Sequence, residues 1–200
     1  SVNPVRYVLG TVPVEADGSA HLELPALRSL FFIALDENDM AVKRMQSFLT
    51  VQPGEVTGCV GCHEQRNKTF IPSGDLMAMQ RRASVIESID DCPDVFDFPR
   101  DVQPILNRLC VDCHGLEKTD RGGPYAGNVN LTGDRGPMFS HAYATMTIRQ
   151  LFVDGRDMAV SNYSPRTIGS SASPILTMLD GDHYDVKATD HEKKMLRLWI

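Results

Sequence analysis

The chain has 200 residues, 42% of them hydrophobic and 23% charged, and a formal net charge of −6. That balance suits one globular domain or two small ones, and the acidic surplus argues against nucleic acid or an anionic membrane surface as partner. No apolar run reaches the roughly 18 residues that a membrane helix needs.

The chain opens "SVNPVRYVLGTV" and ends "MLRLWI" within a helical pattern. It is therefore expected to be part of a longer polypeptide or assembly. The missing leader says nothing about export.

Residues 1–89 predict a β-rich module. "VRYVLGTVPV", "AHLELP", "LFFIALD" and "AVKRMQSFLTV" are short runs rich in Val, Leu, Ile and Phe. Turn chemistry separates them, notably Asp17-Gly18 and Asn38-Asp39. The expectation is a small antiparallel sheet or sandwich. Residues 57–71 read as loop, "GDLMAMQRRASVIESI" as a short helix, and Asp90 to Pro99 as a linker.

Residues 90–200 predict a mostly helical domain, giving an α+β chain overall. In "DVQPILNRLCVDCH", Val102, Ile105, Leu106, Leu109 and Cys113 recur at the helical period. Asp101 is the expected cap, with Pro104 in the first turn. "SHAYATMTIRQLF" is a second helix capped by Ser140. "SASPILTMLDG" is a third, with Ser173 as cap and Pro174 at the first helical position. "TDHEKKMLRLWI" is a fourth, with Thr189 and Glu192 in capping-box spacing.

Two segments carry the chemistry. "GCVGCHEQRN" holds Cys59, Cys62 and His63, and "LCVDCHGLEK" holds Cys110, Cys113 and His114. Cys-x-x-Cys-His is the attachment signature of c-type haem. Positions i and i+3 put both sulfurs on one side of a helical turn, where they reach the two vinyl groups of one porphyrin. The next residue, His, then ligates the iron. A zinc ribbon wants about 15–20 residues between its Cys pairs. Here 47 separate Cys62 from Cys110. A thioredoxin-like pair wants a βαβ context that is missing. Two structural disulfides would have no use for the histidines. Two covalent haems c are expected, and with them an oxidising periplasmic or extracellular compartment. Cys92 reads as a small, partly buried thiol.

His63 and His114 are the expected proximal ligands. For the second haem, His183 in the loop "LDGDHYDVKAT" is the distal candidate, ahead of Met178 and His191. For the first, His21 and His141 are weak candidates beside Met77 and Met79, and an open sixth position is the other reading.

"LGTVPVEADGSAHLELPA", "FFIALDENDMAV", "FPRDVQPILNRLCVDCHG", "NLTGD", "YSPRTIGSSASPIL" and "HYDVKAT" resemble, in order, segments of the dihaem c-type region of large planctomycete-type proteins, the hydrazine synthase alpha subunit family. The resemblance implies a β-rich module ending in the first haem, then a helical cytochrome c-like domain whose haem takes His114 and His183. In that family a tyrosine four residues after the first motif histidine ligates the iron, and the histidine turns to zinc. Asn67 stands at that position here, so His63 is expected to be an ordinary iron ligand.

The function expected is electron transfer by a dihaem cytochrome, with redox proteins or further copies of the chain as partners. The alternative is a haem enzyme acting on a small nitrogen or oxygen species at an open first haem. A third reading is a binding module whose β-half docks a larger enzyme.

Overall fold

The computed structural model describes residues 7–60, 75–155 and 163–200. Cys62, His63 and Asn67 lie outside them. Among the described residues the regular structure is a two-stranded antiparallel sheet followed by helices, an α+β arrangement.

Strand β1 (Ile33–Leu35) pairs with β2 (Ala41–Arg44), Ile33 opposite Arg44, with an irregularity between Ala34 and Leu35. The expected turn at Asn38-Asp39 forms. Asp36 Oδ1 accepts from the backbone N–H of Asn38 (2.9 Å) and Met40 (3.0 Å), and Asp39 takes φ +58°. A short acceptor side chain that bonds its own following backbone fixes such a turn.

The other β-runs do not lengthen into strands. Tyr7–Val95, Thr11–Glu87, Leu22–Ser84 and Leu30–Leu49 are single bridges, so no sandwich forms among the described residues. Gly10 explains part of this. Its φ is +134°, and a Cβ there would lie 2.0 Å from the Glu87 carbonyl oxygen. Pro13 then withholds a ladder N–H. The helix expected over 74–89 also fails. Among its described residues only Met77–Gln80 turns, as a single 3-10 turn. Ser84 and Glu87 instead exchange backbone hydrogen bonds with His21, Glu23 and Thr11. Long-range pairing outweighs a modest helix propensity.

The helical part begins with a wide turn at Phe98–Val102, then α1 (Gln103–Leu109), α2 (Val111–His114), α3 (His141–Ile148), α4 (Pro174–Met178) and α5 (Asp190–Trp199). The first cap is Asp97, four residues before the expected Asp101. Asp97 Oδ1 accepts from Arg100 N (3.1 Å), and Asp101 Oδ2 accepts from Asp97 N (2.7 Å). Asp101 is thus the reciprocal partner of the cap. Ser140 caps α3 as expected, accepting from Tyr143 N at 3.2 Å. Ser173 precedes α4 but does not cap it. Its hydroxyl donates to Gly169 O (2.8 Å) and accepts from Val153 N (3.0 Å). The capping box of α5 is complete, with Thr189 N donating to Glu192 Oε2 at 2.8 Å and Glu192 N to Thr189 Oγ1 at 3.3 Å.

The core lies among the helices. Val102, Leu106, Met146, Leu179 and Leu196 are fully buried. Phe98, Tyr143, Phe152 and Trp199 interleave beside them, with the Phe152 and Trp199 centroids 4.7 Å apart. The expected linker is part of this core, since Phe98 is buried in it and Cys92 and Phe96 pack on it. The hairpin docks on the same body. Ala41 N donates to Ser170 Oγ (2.8 Å), Arg166 N to Val42 O (2.8 Å), and Arg166 pairs with Asp36 at 2.6 Å. No helix among the described residues is long and apolar enough to cross a membrane.

Two outcomes follow from this packing. Leu106 is 1% exposed, so Leu106→Ala is expected to lower unfolding stability by about 2–5 kcal/mol in urea titration. Glu192 answers to pH. Its carboxylate accepts from Arg108 Nε (2.7 Å) and Nη2 and from Thr189, and the Arg108 bond chiefly lowers its pKa to about 2. A carboxylate held this low stabilises the fold fully above its ordinary value of 4.5 and loses that contribution as pH falls toward 2. Glu192→Gln should therefore flatten the fall of the urea midpoint across that window. A variant whose midpoint falls in parallel with the wild type would show that other carboxylates carry the acid sensitivity.

Candidate functional site

Helix α1 ends because Cys110 leaves helical geometry, with φ −121° and ψ −34°. One further turn, α2, carries the rest of the motif. Cys113 N (3.2 Å) and His114 N (2.9 Å) both donate to the Cys110 carbonyl, so the motif wraps one oxygen. Cys110 packs on the core, and burial, with a smaller contribution from Cys113, pushes its thiol up to about 11. Cys113 is more open and its Sγ donates to Arg121 O at 3.1 Å. Cys59, Cys92, Cys110 and Cys113 are all free thiols.

His114 is held from two sides by one loop. Its Nδ1 meets the Ala126 carbonyl at 2.8 Å, and its own carbonyl accepts from Leu131 N at 2.8 Å. A carbonyl accepts only from N–H, so Nδ1 carries the proton and Nε2 keeps the lone pair. Burial lowers the pKa of His114 and nearby His183 adds to this, while the Ala126 bond works against it. The net effect favours the neutral imidazole, the form that binds a metal.

His183 lies between α4 and α5 in a tight excursion. Gly181 (φ +104°), Tyr184 (φ +50°) and Asp185 (φ +56°) take left-handed backbone, and Val186 N returns to His183 O at 3.0 Å. The His114 and His183 rings are 5.8 Å apart between centroids and only 20° from parallel. Tyr184, 83% exposed, stands edge-on to His183 at 4.9 Å.

The remaining candidates separate by burial. His141 is exposed at the start of α3, where its N–H donates to Asp134 O at 2.9 Å. His191 is exposed on α5, and Met178 is half-buried at the end of α4. Met77 and Met79 are 45% and 62% exposed. His21 differs, because its Nδ1 is buried without a hydrogen-bond partner. Cys59 is exposed, whereas Cys92 donates to Ile89 O (3.3 Å) and burial raises its pKa. Sequence reasoning missed the residues that support the motif: Ala126, Leu131, Gln103 and Thr132. The first two act through backbone groups, which leave no side-chain signature. Gln103, a buried amide on an apolar helix, was the available signal.

A haem c at the second motif is tested by this geometry. Two imidazoles sharing one ion each bond it at about 2 Å, which with their ring radii sets centroids about 6 Å apart. The 5.8 Å spacing and the lone pair left on His114 Nε2 are compatible with that demand. The two thiols sit within the same turn. Among the described residues no three His, Cys, Asp or Glu side chains gather as a metal cluster.

Thiol chemistry of the haem-free polypeptide should report this environment. Alkylation by iodoacetamide at pH 8, mapped by peptide mass, is expected, among Cys59, Cys92, Cys110 and Cys113, to modify exposed Cys59 first and Cys110 last. Modification of Cys110 as fast as Cys59 would contradict the burial described.

A family model described as the hydrazine synthase alpha subunit middle domain matches residues 1–64. The match takes in the β-part and the first Cys-x-x-Cys-His. No curated protein matches the chain, and neither does any solved structure.

Proposed function

We propose that the chain is a dihaem c-type cytochrome that transfers electrons. The carrying observation is His114 and His183, facing at 5.8 Å beside Cys110 and Cys113. Haem c, when bound, supplies one-electron iron chemistry whose potential follows axial ligand, hydrogen bonding and burial. The chain's own residues do the rest. Cys110 and Cys113 supply the thiols for attachment. His114 presents Nε2 while the Ala126 carbonyl holds its Nδ1 proton. His183 completes the pair, and two imidazoles set a lower potential than a thioether with an imidazole.

The first haem is assigned to Cys59, Cys62 and His63 from the motif. Its second ligand is assigned to His21, because a buried imidazole nitrogen with no hydrogen bond is costly unless an ion or water meets it. On this reading residues 1–89 carry the first haem and residues 90–200 the second. The protein works in a periplasmic or extracellular space, with redox proteins as partners.

A second reading keeps the first haem open to a small nitrogen or oxygen species. The match of residues 1–64 to a hydrazine synthase alpha domain favours it. Asn67 weighs against tyrosinate ligation.

The mass of the mature protein and its optical and EPR spectra decide between these readings. Two covalent haems, both low-spin when oxidised, are expected. A ferric high-spin signal that shifts with cyanide would favour the enzyme. His183→Ala should turn the second haem high-spin and leave the first unchanged, and His21→Ala the reverse. A low-spin spectrum that survives either change removes that ligand from the assignment.

A further inference from the structure

Two polar side chains beside the motif have no partner for one atom each. Gln103 is 6% exposed and its Oε1 is buried without a hydrogen bond. Thr132 is 9% exposed and its Oγ1 is in the same condition. Gln103 packs against the segment that carries Thr132. Gln103 Nε2 donates to the Leu131 carbonyl at 2.9 Å, and a Cβ on Gly133 would come within 3.0 Å of Gln103 Cγ. Thr132 is the residue between.

The orientation of the Gln103 amide is settled by chemistry. Nε2 donates to both Leu131 O and Asn107 Oδ1 (2.8 Å). A flipped amide would set oxygen against the Leu131 carbonyl, two acceptors face to face. So Oε1 is a pure acceptor left over, and Thr132 Oγ1 is a hydroxyl that both gives and takes. A single water between them would satisfy both, donating to Oε1 and bonding Oγ1. Sites of this kind hold internal water in protein interiors.

We infer that Gln103 and Thr132 bind a buried water, and that Gln103 is thereby a positioning residue for His114. This rests on the haem reading given above. Leu131 is the link. Its carbonyl is gripped by Gln103 and its N–H donates to His114 O at 2.8 Å. Next along the loop, Thr132 O accepts from Ala142 N of α3 at 3.0 Å. The loop that supplies the Ala126 acceptor for Nδ1 is thus pinned between α1 and α3. Slackening the pin lengthens the Nδ1–H to Ala126 bond. A weaker bond makes the imidazole a poorer donor to ferric iron.

The experiment uses the full haem-loaded protein, with the first haem as internal reference. Gln103→Met keeps volume and removes the amide. It is expected to raise the reduction potential of the second haem while the first stays fixed. In ¹⁵N-histidine-labelled reduced protein, the His114 Nδ1 proton should exchange faster. Thr132→Val should shift the same potential upward, and Thr132→Ser should behave as wild type. Gln103→Met with both haems bound and both potentials unmoved would overturn the inference, whatever its melting temperature. If Gln103→Met does not fold, the Thr132 pair decides: equal potentials in Val and Ser variants reject the water. A wild-type protein lacking a haem on Cys110 and Cys113 would sink the haem reading itself, a result separable from unchanged potentials.

Discussion

The His114 Nδ1 to Ala126 carbonyl hydrogen bond, 2.8 Å long, is the constraint on which the rest of the site depends. An imidazole has two nitrogens and a free ring rotation. A site that uses one nitrogen must fix the proton on the other. The carbonyl does this at the cost of immobilising the loop that bears it. That loop then needs its own anchors, and it has them in Leu131 N to His114 O, Gln103 Nε2 to Leu131 O, and Ala142 N to Thr132 O. Each anchor comes from a different element: the motif turn, α1 and α3. A single demand on tautomer thereby explains why these elements meet here.

The opposite ring is delivered by different means. His183 sits in a loop with left-handed residues on either side of it, at Gly181 and at Tyr184 and Asp185. Such backbone holds only where its surroundings over-determine it. Here α4 and α5 provide that frame. Asp180 forms a backbone bridge with Lys187 across the loop, and its carboxylate pairs with Lys193 of α5. Leu179 and Leu196 are buried in the core on either side. Helix α5 is in turn tied to α1 through Glu192 and Arg108. That ion pair is half exposed on the arginine side and is screened by salt, so its stabilisation is modest and it also places α5 against α1.

The helical half was more legible in the sequence than the β-half, for a physical reason. Capping and apolar period are local, so Ser140 and the Thr189–Glu192 box could be read directly. Asp97 was missed because Asp101 stands one turn later with the same chemistry, and the two bond reciprocally. Ser173 failed as a cap because distant backbone groups at Val153 and Gly169 compete for its hydroxyl. In the first half the run composition was right and the strand lengths were not. Strand length depends on continued pairing, and beside the Thr11–Glu87 bridge Gly10 leaves extended geometry at φ +134° while Pro13 has no N–H to give. His114 and His183 could be paired from motif and loop position, but the loop that holds His114 acts through carbonyls that every residue carries.

The two copies of the motif now differ in what supports them. The second has a defined proton, a facing imidazole and a braced loop, all among described residues. For the first, the described residues contribute exposed Cys59 and the buried Nδ1 of His21. His21 is fixed where it stands by its own backbone, since its carbonyl accepts from Ser84 N at 2.8 Å. Its strand-like segment is held again by Glu23 N to Ser84 O at 2.9 Å. Those bonds fix the segment, and the ring's Nδ1 is buried there without a hydrogen-bond partner. Burying a nitrogen there without a partner is therefore a lasting cost. A cost of that kind is kept in a fold where the atom has other work. On the proposed reading that work is ligation of the first haem's iron, which would make the first copy a closed electron carrier.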